Sequence, residues 1–250
     1  MEAEATLVVY NSCARLLAGD LVHTVRVDEV QHDLARFPAH WPVVGVGTTD
    51  WNGRNGEMMP DGTAGALHFW WADPSSASHA ALHDDADPSY VAALGHAVRF
   101  PFLGLAVGDP QTARTWSVPA SDDCVGWLEA QLARQEIELA GIQVRGAFGV
   151  VKTSDAYNLP ASGLDLCGGH VGTDYFRFAD YPAATWTING LYAADPALRL
   201  LVSVATGALH LHGYQPSTML GGHVGSAVVV EANATIWPLT EVLPRRGHLA

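Results

Sequence analysis

Charge is scarce in this 250-residue chain: Asp, Glu, Lys and Arg together make up 16% of it. Cations are scarcer still, 13 Lys and Arg against 26 Asp and Glu, for a formal net charge of −13. Such a polyanion repels phosphate backbones and anionic headgroups. Nucleic-acid and membrane partners are therefore excluded, and a small-molecule substrate is expected. The three cysteines, Cys13, Cys124 and Cys167, are odd in number, far apart and without a Cys-x-x-Cys. That pattern argues against a disulfide framework and fits a reducing cytoplasm. No apolar run reaches the roughly 18 residues of a membrane span; the best, Phe100 to Val107, is broken by Pro101 and Gly104. The first residues, Met-Glu-Ala-Glu, are acidic where a secretory leader is basic. What the chain has in quantity is apolar residues, 48%, and twelve histidines. The first specifies a dense core that needs no metal merely to fold. The second turns attention to metals and proton transfer.

Neither a flexible linker nor a low-complexity tract divides the sequence. One unit over residues 1–250 is expected, or two packed halves of about 1–140 and 141–250. Residues 10–19 read as a short helix, with Ser12 as N-cap and Gly19 as its left-handed stop. Residues 41–72 read as short strands joined by glycine turns. Ser121 to Leu139 reads as the clearest helix, with Val125, Leu128, Leu132 and Leu139 on one stripe. From Gly141 the period becomes alternating. Ile142 to Val151, Phe176 to Phe178, Thr185 to Leu191, part of Leu198 to His212, and His223 to Glu231 read as strands. Gly and Pro separate them rather than helices. The fold class is thus α+β, with mixed, largely antiparallel sheets and a few packed helices.

The segment richest in chemistry is Ala208-Leu-His-Leu-His-Gly213, followed by Gly221-Gly-His-Val224. Residues two apart on a strand project to the same face, so His210 and His212 point together. Pro216 and the glycine pair can turn the chain so that His223 opens a neighbouring strand. Three neutral imidazoles with open positions beside them are how proteins hold a catalytic Zn²⁺ or a similar divalent ion. A second Gly-Gly-His-Val-Gly at Gly168 to Gly172 repeats Gly221 to Gly225 letter for letter, and is read as coincidence in a glycine-rich chain.

The run His210-x-His212…His223 resembles the metal-binding signature of the α-acetolactate decarboxylase family. Other stretches are similar in the same order: Ser12 to Asp20; Gly45-Val-Gly-Thr48 with Asn55-Gly-Glu-Met58; Gly141 to Thr153; and Phe176 to Asn189-Gly190. The resemblance implies a zinc-dependent decarboxylase of a 2-hydroxy-3-oxo acid that yields acetoin, on an α+β fold. It assigns the zinc-ligand roles to His210, His212 and His223, and matches Glu57 to the family's catalytic glutamate. Two departures stand out. The family's Lys-Thr-Arg is Lys152-Thr153-Ser154 here, so the substrate-holding arginine is missing. Lys152, on the same strand face, is the candidate to supply its charge, with Arg145 as the alternative. The family's C-terminal glutamate has no clear counterpart beyond Glu241.

Other groups draw less weight. Trp70 and Trp71 beside His68 are read as one core face and one edge. His79, His83, Asp84 and Asp85 are read as a solvated loop. Beside the decarboxylase stand two further readings: another Lewis-acid reaction at the same metal, and a non-catalytic module, against which the −13 charge counts. A homodimer is in keeping with a chain of this size.

Overall fold

The structure, a computed structural model, describes residues 3–51, 54–73, 81–84, 99–164, 175–204 and 207–245, and of residues 51, 54, 73 and 81–84 the backbone alone. Strand is its dominant element. In the first half lie β1 (Thr6–Tyr10), β2 (Val25–Arg26), β3 (Pro42–Trp51), β4 (Arg54–Thr63), β5 (Ala66–Asp73), β6 (Ala81–Asp84), β7 (Arg99–Val107) and β8 (Arg114–Val118). In the second lie β9 (Leu139–Ala156), β10 (Phe176–Tyr181), β11 (Ala184–Ala193), β12 (Leu209–Gln215), β13 (Leu220–Pro238) and β14 (Glu241–Arg245). They join in one sheet, in which β1 and β14 pair parallel and every other pairing is antiparallel. This is the mixed, largely antiparallel α+β architecture expected.

Four helices accompany the sheet among the described residues: α1 (Cys13–Leu17), α2 (Val27–Leu34), α3 (Cys124–Arg134) and α4 (Pro196–Val202). None is long and apolar enough to cross a membrane. α1 ends as its residues dictate. Ser12 Oγ accepts from the Arg15 N–H, and Gly19 sits at φ +95°. α3 is shorter than the apolar stripe predicts. Its cap is Asp123, whose carboxylate accepts from the Gly126 N–H at 2.8 Å, while Ser121 takes only the Asp123 N–H. Glu136 then turns left-handed at φ +52°, and Leu139 already belongs to β9. α2 is not foreshadowed by an apolar stripe; Glu29 accepts from the Arg26 N–H at its start. The expected strand from Leu198 is instead α4, begun by Asp195 as cap and Pro196 in the first turn.

The run Phe100 to Val107 that is too short for a membrane is β7, buried from end to end between β3 and β1. Strands β9, β11, β12 and β13 pair in a closed ring, since β13 bonds to β12 at one end and to β9 along the rest. A bulge at Gly225 lets β13 change direction between these partners. Trp186, Ile188, Phe148 and Ile236 fill the ring's core together with Leu128 and Leu132 of α3. A second core, including Val46, Phe102 and Leu191, joins β3 and β7 to β11.

The cap assignment is testable by chemical denaturation. Replacing Asp123 with Ala should lower stability by about 1 kcal/mol, and Ser121→Ala should cost less. The reverse order would move the helix start back to Ser121.

Candidate metal centre

The register of β12 against β13 places His212 directly opposite His223, and His210 lies two residues up the same strand face. The three ring centroids are 4.7, 5.0 and 5.3 Å apart. One nitrogen from each falls within 4.8 Å of the others. His210 and His212 are buried and His223 is nearly so. Burial lowers the pKa of all three rings, opposed at His210 by its bond to Val202 and joined at His212 and His223 by repulsion from neighbouring rings: His210 is lowered to about 4, His223 to about 3, and His212 well below its usual value.

Hydrogen bonds then fix the tautomers. His210 Nδ1 donates to the carbonyl of Val202 and His212 Nδ1 to that of Met58. Each neutral ring carries a single proton, so both Nε2 atoms present lone pairs. They face one another at 3.0 Å. Two opposed lone pairs in a buried site repel unless a cation lies between them. The donor set therefore fits a divalent metal, with backbone carbonyls as the partners that orient the ligands.

Glu57 stands at the same point. Its Oε2 is 3.3 Å from His212 Nε2, and its Oε1 accepts from the Ala156 N–H at 2.8 Å. Burial raises its pKa well above the usual carboxylate value, helped by the nearby Asp155 and opposed by the Ala156 bond. Its carboxyl group is thus held on one side, with one oxygen directed at the histidines. Asn55 and Glu57 of the Asn-Gly-Glu segment lie on β4, inside the protein rather than on it; Asn55 accepts from the Leu159 N–H.

A cavity of about 300 Å³ opens from this point. Its polar end holds Glu57, His210, His223, Thr48, Ser154 and Ser203, and its wall is apolar, with Phe102, Phe176 and Phe178. Ser154, at the family's arginine position, does face this space. Lys152 does not line it. Its side chain is 58% exposed and its ammonium lies 3.5 Å from Asp180 on β10. Arg145, also outside the lining, pairs with Asp61 at 3.3 Å. Of the 13 cationic side chains, all but Arg54 and Arg246 are described, and none of the described ones lines the cavity. Arg15 and Arg245 pair with Asp20 and Asp33, Arg177 lies over the Tyr157 ring, and Arg199 donates to the Ala194 carbonyl.

Trp71 is core and Trp70 stacks on Tyr214 and His68; neither lines the cavity. Glu241 sits on β14, paired with Thr6 of β1. The side chains of His79, His83, Asp84 and Asp85, and the Cys167 to Gly172 segment, lie outside the described residues. One residue that sequence reasoning passed over is Asp155. It is buried on β9, its Oδ1 lacks a hydrogen-bond partner, and burial pushes its carboxyl up to about 8, with Arg177 pulling the other way. A Cβ on Gly222 would stand 2.0 Å from that oxygen, so the residue before His223 must be glycine for Asp155 to fit.

No protein-family model matches the chain, and no curated protein does. Solved structures are similar over nearly its whole length. The α-acetolactate decarboxylase of Bacillus subtilis strain 168 matches with a TM-score of 0.69 at 17% identity, over 96% of this chain and 88% of that one. The acetolactate decarboxylase of Bacillus subtilis subspecies spizizenii gives 0.70 at 17% identity, over 96% and 89%. A Staphylococcus aureus protein of unknown function, similar to α-acetolactate decarboxylase, gives 0.65 at 14%, over 96% and 88%. This chain has the α-acetolactate decarboxylase fold.

The buried titratable groups set opposite pH slopes in metal-free protein. Neutral imidazoles stabilise the fold above 6.5, and that contribution is lost as pH falls toward about 4 for His210 and about 3 for His223. A raised carboxyl acts the other way: Asp155 stabilises below 3.8, and its contribution is lost as pH rises toward about 8. Thermal melting between pH 5 and 8 should therefore show a flatter alkaline side in Asp155→Asn than in the parent chain. An unchanged slope would remove Asp155 from this account.

Proposed function

We propose that this chain is a metal-dependent carboxy-lyase acting on a small 2-hydroxy-3-oxo acid of the acetolactate type. One observation carries the reading: two lone-pair-bearing imidazole nitrogens oppose each other at 3.0 Å beside a buried glutamate, on the acetolactate decarboxylase fold. His210, His212 and His223 would hold the ion, Zn²⁺ being the divalent metal best matched to three neutral imidazoles. When bound, such an ion supplies Lewis-acid polarisation of the substrate's ketone.

The rest is work for the chain's own side chains. The bond from C2 to the carboxylate breaks, CO₂ leaves, and the electron pair remains on the hydroxy-ketone fragment. That pair needs a proton, and Glu57 is the group placed to give it. Burial raises the pKa of Glu57, the direction a general acid needs. The Ala156 N–H holds its other oxygen, so the acid presents one face.

A second reading keeps the metal and changes the reaction to hydrolysis, isomerisation or an aldol-type or cyclising step. The absence of any cation from the described cavity lining favours it. A carboxylate substrate finds no cationic side chain there and would have only the metal to pair with, whereas a neutral ketone needs no partner of that kind.

Elemental analysis of the purified protein should find one divalent ion per chain, lost in a His210→Ala, His212→Ala double variant. Metal-loaded protein mixed with racemic acetolactate should form acetoin. Glu57→Gln should retain metal and fold, and lose turnover by roughly 10²–10⁴-fold. Metal-loaded protein that forms no acetoin would overturn the decarboxylase reading in favour of the second.

A further inference from the structure

Among the described residues strand β10 is an edge strand that pairs with β9 alone, and this pairing builds one wall of the cavity. Phe178 stands opposite Ser154, and Phe176 opposite Ala156. Residues directly across an antiparallel pair project to the same side. Each phenyl ring therefore faces a small residue, and the space above Ser154 and Ala156 is left open beside the rings. All four line the cavity. Phe178 is 58% exposed, although it is a large apolar residue on a chain with few such exposures. Phe102, stacked 6.0 Å from His210, continues the apolar surface to the histidines. A volume of about 300 Å³ lies at the lower end of the cavities that enclose ligands of drug size.

From this we infer that the substrate carries a bulky apolar group, branched or aromatic rather than a single methyl, seated against Phe176 and Phe178, and that its recognition rests on this group and on vicinal oxygens at the histidine end rather than on a counter-charge for a carboxylate. The inference rests on the metal-dependent reading above and deepens it by naming the substrate class. The physical reason is the balance of surfaces. Burying an apolar group against aromatic side chains gains about 25 cal/mol per Å² removed from water. Burying a carboxylate without a partner opposes binding. The described lining offers the first and provides no cation against the second.

The test uses metal-loaded protein and binding rather than turnover. Two uncharged chelators, acetohydroxamate and benzohydroxamate, share their oxygens and differ in methyl against phenyl; oxalate presents vicinal oxygens with two negative charges. By titration calorimetry, benzohydroxamate should bind at least tenfold more tightly than acetohydroxamate, and oxalate more weakly than benzohydroxamate. Phe178→Ala, chosen because the ring is largely exposed and the fold does not depend on it, should shrink the phenyl preference several-fold and leave the metal content unchanged. Ser154→Arg should raise oxalate affinity at least tenfold. Equal binding of the two hydroxamates, a preference that survives Phe178→Ala, or oxalate as the tightest ligand would each overturn the inference while the metal centre stands. Protein that takes up no metal by elemental analysis would bind none of the three and would overturn both readings.

Discussion

The antiparallel register between β12 and β13 is the constraint on which the site depends. Strand alternation alone puts His210 and His212 on one face, but only the pairing of His212 with His223 brings the third ring to them. A slip of one residue would send His223 to the opposite face. The register is held from outside the hairpin as well. Met58, on β4, accepts the His212 Nδ1–H, and Asn189, opposite His212 on β11, donates to the carbonyl of Pro60 on the same strand. Gln143 and Asp61 extend this contact, Gln143 Nε2 donating to both Asn189 and Asp61. The two halves of the chain are thus fastened together at the point where the ligands meet.

Burial does the electrostatic work in this site, and it does so in opposite senses. The same desolvation that lowers the imidazole pKa values raises that of Glu57. Bases that can ligate and a carboxyl group therefore stand within hydrogen-bond distance of one another in a buried site.

Much of this was legible before any coordinates, and the reason is the range of each signal. His-x-His on a strand and the Gly-Gly-His after a turn are local patterns with a fixed period, so they could be read directly. The strands after Gly141 were legible through their Gly and Pro punctuation. Glu57 was reached only through resemblance, because what makes it an acid is burial against Ala156, 99 residues away. Lys152 was chosen by strand parity, but parity does not reveal that Asp180 lies across the β9–β10 pair. The helix at Pro196–Val202 was hidden by its apolar composition, although Asp195-Pro196 is a helix-start signal. Asp155 was overlooked because a lone acid in a strand looks like a solvent-facing residue until its neighbours are known.

The elements that hold the ligands and the element that shapes the wall differ in how freely they can change. β12 and β13 belong to a closed ring of pairings, where one altered side chain is felt by neighbours on both sides. Among the described residues β10 hangs at the sheet's margin with a single partner. Substitutions at Phe176 or Phe178 can redraw the pocket without passing strain to the histidines. Descendants of such a scaffold can drift from one pocket shape to another while inheriting the same cluster of three histidines.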